Sequence, residues 1–136
     1  MPPLADLTVT TNRDDLDVRW VIDQLKASYW GGWLTPIQIM RGIDHSLCFG
    51  AYIGRKQVGF LRVVTDRATL SSIVDMIVGE GFRGHGVGRR LMEAAIAHTY
   101  IAPTMCIIAT RDARGFYEKF GFQSVGGDVM KRDPKA

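Results

Sequence analysis

The stretch from Leu70 to Val78 is apolar except for Ser71, Ser72 and Asp75, and it runs directly into Gly79-Glu80-Gly81-Phe82-Arg83-Gly84-His85-Gly86-Val87-Gly88. An apolar run this continuous is the mark of a strand covered on both faces, and therefore of a central position in a sheet. Beyond the glycines, Val87, Leu91, Met92, Ala95 and Ile96 fall on one face of a helix that should end near Tyr100, ahead of Pro103. A chain built around this junction must place a buried strand, a glycine loop and a helix N-terminus end to end.

That junction also suits an anion. A helix N-terminus leaves about four N–H groups unpaired and carries roughly half a positive charge, and glycines let a phosphate come close to them. Gly84, Gly86 and Gly88 stand at alternate positions, with Arg83, Arg89 and Arg90 around them. The competing reading is that they serve only a tight turn and close helix packing. Idle glycines at Gly86 and Gly88 would cost the helix about 1 kcal/mol each relative to alanine, which favours binding. Gly79, Gly81 and Gly84 also satisfy the dinucleotide pattern GxGxxG, but two antiparallel strands precede them, and near Thr104 no acid stands where a ribose partner is required. No Gly-Lys-Ser/Thr occurs, which argues against nucleoside triphosphate hydrolysis.

The remaining pattern predicts a helix over 14–28 (Leu16, Trp20, Val21, Leu25), stopped by Gly31-Gly32, and a second from Thr35-Pro36 to about Asp44. Strands are expected at 47–52 and 57–65 around the turn Ile53-Gly54-Arg55-Lys56, then at 70–78. A strand at 104–110, a short helix at 113–120 and an extended stretch from Phe122 follow. The order is therefore ααββ and then βαβαβ, with 1–136 as one domain.

A length of 136 residues, 46% hydrophobic and 23% charged, fits one soluble globular domain. The net charge of +3, without dense Lys/Arg runs, favours an anionic small molecule over nucleic acid. Cys48 and Cys106 lie in apolar runs without metal-site spacing, so both are expected to be core thiols and no metal is implied. No leader-like segment and no run of about 20 apolar residues is present, so a cytoplasmic protein with no membrane partner is expected.

Arg83-Gly84-His85-Gly86-Val87-Gly88 resembles the [RQ]xxGxG[AG] signature of the GNAT superfamily of acyl-CoA-dependent N-acetyltransferases, in the shortened form RGxGxG. Phe116-Tyr117-Glu118-Lys119-Phe120-Gly121-Phe122 resembles that superfamily's tyrosine helix and glycine turn. The resemblance covers about residues 47–125. It implies an α/β fold of the mixed α+β kind, with a splayed central sheet flanked by helices on both faces, and acetyl-CoA as co-substrate. It further implies that the loop from Arg83 through His85 and Val87 to Arg89 holds the CoA pyrophosphate, that the backbone of Met76, Ile77 and Val78 pairs with pantetheine, and that Tyr117 faces the departing sulfur. Where many members have asparagine before the tyrosine helix, this chain has Thr110-Arg111-Asp112.

Acyl transfer to an amine needs a neutral nitrogen, whereas an alkyl ammonium has a pKa of about 10.4. Asp75, the one charge in its apolar run, is the candidate base or else a structural carboxylate; Glu80 is a rival, His85 is expected to face water, and His45 to lie toward the acceptor side. Tyr117 is the candidate donor to sulfur, or else part of a core stripe with Phe116 and Phe120. Tyr29, Trp30 and Trp33 form either an aromatic wall for a cationic or apolar acceptor or a cap on the core. The acceptor is an amine of a small molecule or peptide, and the edge near Val125 to Met130 offers a possible homodimer contact. A CoA-binding sensor without turnover, and a small basic nucleic-acid-binding domain, are the rival functions.

Overall fold

The computed structural model describes residues 4–127 and 129–134. Its elements are β1 (Leu7–Thr10), a 3-10 turn (Arg13–Asp15), α1 (Val18–Ala27), α2 (Pro36–Asp44), β2 (Leu47–Ile53), β3 (Lys56–Thr65), β4 (Leu70–Val78), a second 3-10 turn (Glu80–Phe82), α3 (Val87–Ala97), β5 (Met105–Ile108) and α4 (Arg114–Glu118). The five strands form one sheet in the order β1-β2-β3-β4-β5, antiparallel up to β4 and parallel between β4 and β5. This is the mixed sheet with helices on both faces that the sequence predicts. No helix among the described residues is long and apolar enough to cross a membrane.

Two apolar layers hold the helices to the sheet. On one face Phe49, Leu61, Val63 and Ile73 pack with Val87, Leu91, Met92 and Ala95 of α3. On the other, Cys48, Phe60 and Ile77 pack with Val21 and Leu25 of α1 and Ile39 and Ile43 of α2. Gly59 on β3 sets the height of α3: a Cβ there would stand 2.7 Å from Val87 Cγ1 and 3.1 Å from Leu91 Cδ1. The start of α1 is pinned to β3, because the Asp17 N–H donates to Oε1 of the buried Gln57 at 2.7 Å while Gln57 Nε2 donates to the Gly59 carbonyl at 3.1 Å. α2 starts with a capping box between Thr35 and Gln38 and Pro36 at its first position, each cap contributing about 1 kcal/mol.

Three expectations are corrected. A strand at Leu7–Thr10 precedes the helices and pairs with β2, where none was predicted. α1 opens at Val18, because Asp17 caps it through the Trp20 N–H at 3.0 Å, whereas Asp14 and Asp15 belong to the preceding 3-10 turn. No strand forms among the described residues after Phe122; Val125, Val129 and Met130 are exposed, with no apolar surface to bury them and Gly126-Gly127 between them. Asp128, within the stretch expected to pair between two chains, lies outside the described residues.

The β3–β4 connection rests on Asp66, whose carboxylate accepts from the N–H groups of Ala68, Thr69 and Leu70 and from the Thr69 hydroxyl. These donors hold its pKa well below the usual carboxylate range. A depressed folded pKa contributes stability that is present above the unfolded value of about 3.9 and is lost as pH falls below it. Asp66→Ala should therefore lower the urea midpoint at neutral pH, and the gap to wild type should close as pH drops from about 4 toward 2. A gap independent of pH would remove the carboxylate from this account.

Candidate functional site

The parallel pairing of β4 with β5 runs only from Leu70↔Met105 to Ile73↔Ile108, while β4 continues to Val78. Beyond Ile73 the outer edge of β4 therefore has no strand partner among the described residues; the Arg83 side chain reaches back to it, Nε donating to the Val78 carbonyl at 3.4 Å. On its inner edge the register slips: Phe60 pairs with Ile77 and Arg62 with Val74, so Asp75 and Met76 together oppose Leu61. Asp75 takes up this bulge with φ of +57°, a left-handed conformation that costs a residue with a Cβ about 1–2 kcal/mol and that aspartate tolerates better than most.

Its side chain explains how that conformation is held. Arg62 Nε donates to Asp75 Oδ2 at 2.9 Å, and Trp30 Nε1 donates to Oδ1 at 3.2 Å. Arg62 Nη1 donates in turn to Ser46 Oγ at 2.9 Å. The Asp75 side chain is only 9% exposed, so the ion pair is a largely desolvated one; removing one partner of such a pair typically costs about 3–5 kcal/mol. Both carboxylate oxygens are engaged, and through Trp30 the bulge is tied to the loop after α1.

Beside the end of β4 lies a cleft of about 820 Å³ lined on one side by Gln24, Ala27 and Ser28 with Tyr29 and Trp30, and on the other by Met76 to Val78. Its floor is the loop and first turn of α3, where Arg83, Gly84, Gly86, Val87, Gly88 and Arg89 all contribute. Gly84 and Gly86 both have φ of +81°, a left-handed conformation in which a side chain would be strained. Gly86 is the N-cap of α3 and no side chain caps that end, in contrast to α1 and α2, which Asp17 and Thr35 cap. The first intrahelical bond is Arg90 N–H to Gly86 C=O at 3.0 Å, so the N–H groups of Val87, Gly88 and Arg89 remain for something in the cleft. The geometry fits an anion: N–H donors at the positive end of a helix, two arginines and a backbone without Cβ atoms.

Tyr117 on α4 is buried, edge-on to Phe116 at 5.0 Å, and its hydroxyl makes no hydrogen bond among the described residues. Burial pushes its pKa up, with smaller contributions from Tyr29 and Asp112. Phe116, rather than Tyr117, lines the cleft. His85 is half-buried and is not among the lining residues, and Glu80 and His45 are exposed, likewise away from them. Cys48 is a buried thiol pushed up to about 11 chiefly by desolvation, and Cys106 is half-buried.

Residues 44–124 match the family model described as acetyltransferase (GNAT) domain. The chain belongs to the GNAT family. A solved structure of a GNAT-family protein from Xanthomonas campestris pv. campestris is similar over 98% of this chain and 96% of its own, with 32% identity and a TM-score of 0.91. A GNAT-family protein from Streptococcus pneumoniae TIGR4 shares the fold at 22% identity and a TM-score of 0.72, covering 96% of each chain. Glucosamine-6-phosphate N-acetyltransferase from Arabidopsis thaliana shares it at 17% identity and a TM-score of 0.69, over 93% of this chain and 97% of its own. No curated protein sequence matches the chain significantly.

Within this GNAT frame the cleft gathers every strand and loop residue expected to hold the cofactor except His85, together with Tyr29 and Trp30. Sequence reasoning missed Gln24, Ala27, Ser28, Phe82 and Phe116. Gln24, Ala27 and Ser28 share one face of α1 by their i, i+3, i+4 spacing, but that face carries no apolar stripe to announce it.

Proposed function

We propose that this GNAT domain is an N-acetyltransferase that moves an acetyl group from acetyl-CoA to an amine by direct attack in a ternary complex. The observation that carries this reading is the uncapped, glycine-led N-terminus of α3 opening into the same cleft as the edge of β4 that has no strand partner among the described residues. One binds a pyrophosphate, and the other accepts an extended chain as an added strand would. In this reading Val87, Gly88 and Arg89 present their N–H groups to the pyrophosphate, with the Arg83 and Arg89 side chains beside it. Met76 to Val78 pair with the pantetheine amides. A single sheet through the described residues supports treating 1–136 as one domain.

The amine nitrogen attacks the thioester carbonyl carbon, a C–N bond forms, the C–S bond breaks, and the amine's proton passes to water. Asp75 is assigned to position rather than to deprotonate, because its carboxylate is ion-paired with Arg62, bonded by Trp30 and not among the residues that line the cleft. Tyr117, packed edge-on behind the lining residue Phe116, is assigned to donate a hydrogen bond to the sulfur as negative charge develops there. Tyr29 and Trp30 wall the acceptor.

The test is calorimetric titration of the protein with acetyl-CoA, followed by thiol release in the presence of an amine panel. Saturable one-to-one binding and amine-dependent thiol release are expected. Binding without release from any amine would convert the reading to a CoA sensor, and no binding would overturn it.

A further inference from the structure

The acceptor side of the cleft carries a feature that the glycine loop does not explain. The Arg111 guanidinium lies over the Tyr29 ring, 3.9 Å from its centroid. Arg111 stands between β5 and α4 and Tyr29 follows α1, so this contact ties the segment before α4 to a wall of the cleft, which Arg111 itself does not line but adjoins through Tyr29. Tyr29 in turn meets Trp30 edge-on at 5.0 Å, and Trp30 is held by Asp75. One face of the Tyr29 ring is therefore already occupied by a cation of the protein.

Stacking uses the face of a guanidinium and leaves its five in-plane N–H donors available. No described residue accepts from any of them, and no described carboxylate lies within ion-pairing distance of Arg111. Its neighbour Asp112 is exposed and forms no ion pair with it, and Asp75 is paired with Arg62. No described carboxylate lines the cleft, whose charged lining residues are Arg83 and Arg89. A polyamine or a lysine-rich peptide would find no counter-charge among the described lining residues and a further cation, Arg111, beside Tyr29. An oxyanion, by contrast, fits the free fork of a stacked arginine in a bidentate pair.

We propose that Arg111 receives an oxyanion on the acceptor, so that the substrate is an amine carrying a carboxylate or a phosphate. This rests on the acyltransferase reading and narrows its acceptor. Arg111 sets specificity and takes no part in the bond changes.

The experiment compares kcat/KM, with acetyl-CoA fixed, for α- and ω-amino acids against their amides, aminoalkyl phosphates against amino alcohols, and diamines. Wild type and Arg111→Gln are measured, with Arg111→Lys as the variant that keeps the charge and loses the fork. The anionic member of the preferred pair should exceed its neutral partner by about 10- to 100-fold in wild type, the range for hydrogen bonds to a charged group. In Arg111→Gln that ratio should fall toward one, mainly through KM, with Arg111→Lys between. Whether the amino acids or the phosphates show the ratio identifies the oxyanion. Acetyl-CoA titration of Arg111→Gln should match wild type. Diamines preferred over both anionic classes, equal rates within every pair, silence of the whole panel despite acetyl-CoA binding, or weaker acetyl-CoA binding in the variant would each overturn the proposal. Failure of wild type to bind acetyl-CoA would remove the acyltransferase reading and this inference with it.

Discussion

Gly86→Glu should abolish detectable acetyl-CoA binding, a loss of at least about 100-fold, while Gly86→Ala weakens it far less. Two effects separate at this position. Gly86 has φ of +81°, so any side chain there adopts a left-handed conformation at a cost of about 1–2 kcal/mol, and alanine reports that strain alone. Space is not the obstacle, since the nearest atoms to an added Cβ are those of the Arg89 side chain at 3.7–3.9 Å. Glutamate adds a carboxylate beside the unpaired N–H groups of α3, where it both satisfies the helix end and repels a pyrophosphate. That carboxylate offsets part of the strain in the folded protein, so Gly86→Glu should unfold no more easily than Gly86→Ala. Thermal unfolding and calorimetry on the two variants give both readings. Equal binding by wild type and Gly86→Glu would place the phosphates elsewhere.

The glycine-loop end of the cleft was legible in the sequence because its geometry is backbone geometry. Glycines at 84, 86 and 88, after an apolar run and before a helical period, specify both the missing Cβ atoms and the helix end they expose. The opposite end was not legible, since it depends on contacts between distant segments: Arg62 with Asp75 across a hairpin, and Arg111, after β5, with Tyr29, after α1. Asp75 illustrates the difference. A lone charge in an apolar run signals importance without saying whether it moves a proton or holds a bulge, and only its two donors and its φ of +57° favour the second.

The fold shows the same boundary. β1 was missed because Leu7-Thr8-Val9-Thr10 offers one short alternation, and its place is fixed by pairing with β2 and by Arg90 Nη2 donating to the Leu7 carbonyl at 3.3 Å. The expected last strand has apolar residues, yet beyond Phe122 they find no layer to join. An alternating pattern predicts a strand only where a partner edge and a covering face both exist.

Tyr117→Phe should lower kcat by about 100-fold, the scale for removing one hydrogen bond to developing charge in a water-poor site, with acetyl-CoA binding unchanged. The ring stays in the same apolar contacts with Phe116 and Phe122, so the fold should survive the loss of a hydroxyl that has no partner among the described residues. The size of the effect follows from what the phenol can and cannot do. A phenol at about 10 is already a weaker acid than a thiol at about 8.5, an uphill transfer of roughly 2 kcal/mol, and burial of Tyr117 widens that gap. The hydroxyl therefore stays protonated through the working range and acts by hydrogen bonding, so its alkaline limb should lie above pH 10. The rising limb of the rate profile belongs to the acceptor amine losing its proton. Tyr117→Phe should accordingly lower the whole profile without shifting that limb. An unchanged kcat would return Tyr117 to the aromatic stripe of the core, and a shifted limb would mean that it takes part in deprotonating the amine.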